Sequence, residues 1–280
     1  MIWNCKNGSV PIGDTTMDCV SFGYGETPLV LLPGLSDGLA TVAGKALLLA
    51  APYRLFFRRY TVYMFSRKND LPNDTSIRAM AADQAEAMRA LGLSAAHVVG
   101  VSEGGMIAQY LAIDHPECVE KLVLSCTAPC VNDRARACVQ GWIAMAERGD
   151  HKALMIDTAE KSYSAPHLKK YRAAYPILGW ISRPKDYRRF FANANAILSF
   201  DATASLGSIR CPTLILIGDA DQIVGVQPSF DLQSAIADSR LRLFPGLGHA
   251  IYEEAPDFNQ IIYDFFAGSS GDTKELSLRE

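Results

Sequence analysis

Short uninterrupted apolar runs, each bounded by Gly, Pro or Asp, recur along the chain and alternate with stretches whose apolar residues fall at helical spacing. Runs of this kind suit strands buried on both faces, and the alternation suits parallel strands joined by crossover helices. The clearest strands are Leu29–Leu32, Thr61–Phe65, His97–Val101, Lys121–Ser125, Thr213–Ile217 and Arg240–Phe244. Between them the spacing predicts a helix over Ile77–Leu91, stopped by Gly92, and another over Met106–Ile113, ending near Pro116. A third, Ala255–Phe266, would carry Pro256 in its first turn and place Phe258, Ile261, Ile262, Phe265 and Phe266 on one face. The fold class is α/β.

The rhythm breaks between Val131 and Gly207. No strand-like run appears there, and the segment is helical, aromatic and basic. It reads as an inserted helical cap (131–207) over a core formed by residues 1–130 and 208–280. With twelve Lys or Arg against seven Asp or Glu, the segment carries +5, leaving −8 on the remainder. Such a field could steer an acidic substrate, although basic residues more often coat solvated helix faces. The polar, Ser/Gly-containing stretch Gly268–Glu280 reads as a frayed tail.

Composition narrows the partners. The net charge of −3 gives no sign of a nucleic-acid or anionic-membrane partner. Seven cysteines form an odd set without a CxxC pair, as expected of free thiols in a reducing cytosol. No apolar leader opens the chain, and the longest apolar stretch, Ala46–Pro52, is far short of the ~20 residues that cross a bilayer as a helix. A soluble cytoplasmic protein is the expectation.

The candidate chemistry centres on Gly100-Val101-Ser102-Glu103-Gly104-Gly105, between a strand and a helix. A strand-to-helix turn this sharp needs small residues around the serine, and it pushes the hydroxyl into the open. It also sets the amide of Glu103 at a helix N-terminus, where it can donate to an oxyanion. A serine hydroxyl needs a base. Of five histidines, only His249 sits in a suitable loop, Pro245-Gly246-Leu247-Gly248-His249, after the last strand. The base needs a carboxylate, and Gly218-Asp219-Ala220-Asp221 offers two after the preceding strand. Asp221 is the choice, because Asp219 directly ends the strand and suits a turn. Gly34-Leu35-Ser36-Asp37-Gly38 follows the first parallel strand and can give a second oxyanion amide from Leu35.

These residues, in the chain order Ser102, Asp221, His249, resemble the α/β-hydrolase superfamily over most of the chain. The resemblance implies an eight-stranded, mostly parallel sheet with Trp3–Val10 and Met17–Tyr24 as first antiparallel strands. It also implies that 131–207 is the cap between the sixth and seventh strands. Two positions depart from the family's habits: Pro33-Gly34 stands where His-Gly is common, and Glu103 follows the nucleophile. The Glu103 side chain could stabilise its helix start, or line the pocket mouth with negative charge. Dehalogenases and epoxide hydrolases of the fold carry Asp at the elbow, and iminopeptidases typically carry GGSWG; Ser102 and GVSEGG point away from both.

The expected function is two-step acyl transfer on a small or medium, partly apolar ester, as in a carboxylesterase. Lactone, thioester, amide and carbon–carbon hydrolysis and perhydrolysis use the same machinery. A ligand receptor on the hydrolase scaffold is the alternative of another class. Ser36, Trp142 and Trp180 are candidate substrate contacts. No metal or organic cofactor is expected, since neither zinc-like spacing nor a dinucleotide fingerprint occurs.

Overall fold

The computed structural model describes residues 2–180 and 182–268; the expected tail beyond Gly268 therefore lies outside the described residues. Eight strands form one sheet: β1 (Lys6–Ile12), β2 (Thr15–Gly23), β3 (Thr27–Leu32), β4 (Tyr60–Lys68), β5 (Ala96–Val101), β6 (Val119–Ser125), β7 (Thr213–Gly218) and β8 (Ser239–Phe244). Their spatial order is β1-β2-β4-β3-β5-β6-β7-β8. β2 runs antiparallel to both β1 and β4, and every pairing from β4 through β8 is parallel. The first strand starts later than expected, because Ile2–Asn4 form a 3-10 turn rather than sheet. In β7 all six residues are buried, as a central parallel strand requires.

Eleven helices are described: α1 (Ala46–Ala50), α2 (Ile77–Ala90), α3 (Glu103–Asp114), α4 (Asp133–Glu147), α5 (His151–Ser162), α6 (Ala165–Tyr171), α7 (Tyr175–Leu178), α8 (Arg188–Leu198), α9 (Gln227–Ala235), α10 (Ile251–Glu254) and α11 (Phe258–Ala267). α2 opens on Ser76, whose side chain accepts from the Ala79 amide, and closes before Gly92 at φ +72°. The last helix does not begin at Ala255. Ala255, preceding Pro256, is held extended at ψ 113°, so the proline separates α10 from α11 instead of opening a helix.

Pairing fixes which residues share a face. Leu31 lies beside Met64 on one side and Val99 on the other, and Leu29 lies beside Val62 and His97. That face is covered by the 3-10 turn Ala51–Phe56 and by α11. His97 stacks within 4.6 Å of Phe266, and Phe56 meets Tyr263 at 5.9 Å. Desolvation there holds the His97 imidazolium down, with its pKa lowered to about 4.

Helices α4–α8 all fall between β6 and β7, where the apolar rhythm of the sequence stops. The two ends of this segment are tied together at its base. Cys130 bridges Asp201, the Val131 amide donates to the Phe200 carbonyl at 3.1 Å, and Ala202 donates to Pro129 at 2.8 Å. No helix among the described residues is long and apolar enough to cross a membrane. All seven cysteines are free thiols.

Candidate active site

β5 ends and α3 begins on either side of Ser102, which adopts φ 56° and ψ −119°. A β-carbon costs energy in this region, and such strain persists only where surroundings enforce it. They do so here: the Ser102 amide donates to the Ser125 carbonyl at 2.8 Å, while the Ser102 carbonyl accepts from Thr127 Oγ1 at 2.8 Å and the Gly105 amide at 2.9 Å. The flanking glycines are required by close approach. A β-carbon on Gly104 would lie 2.0 Å from the Leu32 carbonyl oxygen, and one on Gly100 would lie 2.4 Å from that of Gly104. Thr127 was not singled out in the sequence. Its signal is its position just past β6, at the sheet edge that faces the elbow.

His249 follows β8 and Asp221 follows β7, so neighbouring parallel strands deliver both to one edge. His249 Nδ1 and Asp221 Oδ2 stand 2.7 Å apart, with both residues buried. The other carboxylate oxygen, Oδ1, accepts from the amides of Ile223 at 2.7 Å and Val224 at 2.9 Å. Burial alone would push the Asp221 carboxyl up, but the His249 imidazole and these amides outweigh it and hold it below its ordinary value. Asp219 does something else: its Oδ1 accepts from the Gly246 amide at 2.7 Å, shaping the turn that leads to His249.

A cavity of about 260 Å³ is lined by both Ser102 and His249, together with Leu35, Ser36 and Trp142. Gly34 approaches so closely that a β-carbon there would sit 3.3 Å from the Ser102 β-carbon. Leu35 opens a 3-10 turn and Glu103 opens α3, so both amides belong to first turns without intrahelical partners. Among the described residues, none that lines it is Lys or Arg. Trp142 presents its ring to the cavity while its Nε1 donates to Asp157 at 2.7 Å.

Two expectations require correction. Trp180 does not line the cavity; it follows α7 on the outer surface of the insertion and is 86% exposed. The Glu103 side chain does not line the pocket mouth. It is wholly buried, 3.0 Å from the equally buried Arg67. Burial raises its carboxyl to about 7, which the Arg67 guanidinium offsets only in part. Arg67 also donates to the Pro33 carbonyl at 2.7 Å, beside the Gly34-Leu35 turn. Its backbone amide donates to Asp37 at 3.0 Å, and Asp37 in turn accepts from Arg189 of α8 at 2.6 Å. Arg67 and Asp37 had no assigned role in the sequence reading. The signal was an arginine two residues past the run Thr61–Phe65, where only a buried partner makes burial tolerable.

Cys126 adopts φ 49° and its thiol belongs to a buried group with Asp221 and His249, whose ligand atoms lie within 4.8 Å of one another. Burial pushes this thiol far up, and the Asp221 charge adds to the effect, so the sulfur stays protonated.

A family model described as the alpha/beta hydrolase family matches residues 29–258. Among curated relatives, the chain is 26% identical over 265 residues to RutD of Caulobacter sp. (strain K31), whose name places it among carbamate hydrolases; the match covers 84% of this chain and 90% of RutD. It is 27% identical over 304 residues to the fluoroacetate dehalogenase of Burkholderia sp, covering 97% of each. Among solved structures, MGS-M2, an alpha/beta hydrolase enzyme from a Medee basin deep-sea metagenome library, superposes with a TM-score of 0.81 at 17% identity, covering 95% of this chain and all of that one. At that identity the likeness is one of fold. The eight-stranded sheet and the matched span together establish that this chain belongs to the alpha/beta hydrolase family.

Proposed function

We propose that the protein is a serine hydrolase that transfers an acyl group from a small or medium, partly apolar ester to Ser102 and then to water. The observation that carries this reading is the buried His249–Asp221 pair at 2.7 Å, with His249 lining the same cavity as the strained Ser102. In the first step His249 Nε2 takes the Ser102 proton while Oγ bonds to the carbonyl carbon. The oxyanion is held by the amides of Leu35 and Glu103, and the imidazolium returns the proton to the departing alkoxide. In the second step water repeats the sequence, and the acid leaves. Asp221 fixes the tautomer with the proton on Nδ1 and steadies the cation. Ser36 and Trp142 contact the substrate, and 131–207 acts as a helical cap. No step calls for a metal or organic cofactor.

Ser102 disfavours the halide displacement named in the dehalogenase relative. A carboxylate nucleophile forms an ester that water can cleave, whereas a serine would form an unreactive ether. Hydrolysis of a lactone, thioester, amide or carbon–carbon bond would draw on the same groups, since pocket contacts choose among them. A panel of nitrophenyl esters tests the reading. Turnover lost on Ser102→Ala or His249→Ala in folded protein is the expected result. Unchanged turnover in either variant overturns it.

A further inference from the structure

The residues lining the cavity fall into two groups, which define an outer and an inner arm. The outer comprises Trp142, Leu154, Met155 and Thr158 of the insertion, with Ser36 and Ser162 also on the wall. The other turns inward from Ser102 along the sheet. Its floor is Val99, Leu31, Met64 and Leu29, which the pairing of β3, β4 and β5 sets on one face. Its roof is Phe56, Phe258 and Ile262 from the 3-10 turn and α11. From Leu32 to Leu29 the strand covers about 10 Å, the reach of a linear chain of roughly eight carbons. Farthest along it lie Tyr53 and Asn259, both half-buried, and Asn259 Nδ2 donates to the Pro52 carbonyl at 2.9 Å, tying helix to turn.

We propose that this inner arm binds an unbranched, medium-length aliphatic acyl chain, while the leaving group lies beneath the insertion. This deepens the serine-hydrolase reading and rests on it. The assignment of acyl chain rather than alcohol follows from the order of the two steps. The leaving group must depart before water attacks, and a group in the inner arm lies among the buried Leu29, Leu31, Phe56, Phe258 and Ile262, whereas the outer arm is bounded by the half-buried Met155 and Thr158, nearer solvent. The acyl group stays bonded to Ser102 and has no such need. Methylenes in the inner arm meet apolar side chains on floor and roof, so each adds a burial gain. The hydroxyl-bearing outer arm offers the leaving oxygen and its substituent polar partners.

The test uses two series of nitrophenyl and simple alkyl esters: acyl length varied from acetyl to dodecanoyl, and alcohol length varied on a fixed acetyl. Expected is a kcat/KM that rises with acyl length, up to about fourfold per methylene, the equivalent of ~0.8 kcal/mol, and falls beyond roughly eight carbons. Leu29→Phe from the floor and Ile262→Phe from the roof fill the arm from opposite sides. Each should lower the octanoyl-to-acetyl ratio at least tenfold and move the optimum to shorter chains; having two variants guards against one failing to fold. The proposal is overturned if length dependence appears only in the alcohol series. It is also overturned if neither filling variant shifts the ratio, or if only Met155→Phe under the insertion does so. Alkyl fluorophosphonates separate this outcome from failure of the ester reading. Their labelling breaks P–F, forms Ser102 Oγ–P and releases fluoride without ester turnover. A chain-length optimum in labelling rate, shortened by Leu29→Phe, upholds the inner arm even if no ester is hydrolysed; a flat labelling profile refutes it.

Discussion

At Asp221 the two carboxylate oxygens have separate tasks: Oδ1 holds the loop through Ile223 and Val224, and Oδ2 faces His249. Asp221→Asn can keep the first, since an amide oxygen accepts equally well. Its NH2 would then face Nδ1, force the imidazole proton onto Nε2 and leave nothing to deprotonate Ser102. Turnover should fall by about 10⁴ with the melting transition nearly unmoved, and near-normal rates would show that the acid lies elsewhere. Asp219→Asn weakens only the exposed bond to Gly246, so it should cost less than about 1 kcal/mol and change turnover little. Glu103 makes a prediction of opposite kind. Its folded carboxyl, raised to about 7, favours the protonated form, so its contribution to stability is full below the unfolded value near 4.5 and is lost as pH rises through 7. Denaturation of Glu103→Gln at pH 5 and pH 8 should show the variant gaining on the parent at the higher pH. A parallel pair of pH profiles would mean the carboxyl ionises normally.

The elements explain why some of this was readable in advance and some was not. Six strands announced themselves because a parallel strand buried on both faces must be apolar throughout. The glycines around Ser102 did so because a β-carbon on Gly104 would collide with Leu32. The boundary at Pro256 was misplaced because proline is tolerated in a first turn and also ends the preceding helix; only the extended Ala255 distinguishes the two. Where a charged side chain in a first turn points is equally hidden. Glu103 turns inward because Arg67, 36 residues away in sequence, awaits it. The same buried group predicts how α8 is held. Arg189 joins this insertion helix to Asp37 and to the carbonyls of Arg67 and Lys68 at the end of β4. Arg189→Met should destabilise the protein by about 3 kcal/mol by leaving Asp37 buried without its cation, and adding Asp37→Asn should restore part of the loss. Additive losses in calorimetry of the double variant would refute the coupling.

Across the whole molecule, the positive insertion invited the idea of electrostatic steering, but among the described residues four of its twelve cations are held in ion pairs and none lines the cavity. Lys161 pairs with Asp157, Arg172 with Glu160, Arg188 with Asp186 and Arg189 with Asp37. With no cation on the cavity wall, the rate ratio of neutral to anionic esters should change less than about twofold between 0.01 M and 0.1 M salt, although the Debye length contracts from ~30 to ~10 Å. A ratio that grows severalfold with salt would restore steering. The proposed mechanism has one central consequence, that Ser102 is the residue activated for covalent attack. The most direct measurement is reaction of folded protein with a fluorophosphonate, followed by mapping of the labelled peptide. A single label on Ser102, formed in step with loss of ester turnover and absent in His249→Ala, is the predicted result. An unlabelled Ser102 in protein that still binds ligand, or a label on another residue, would contradict it.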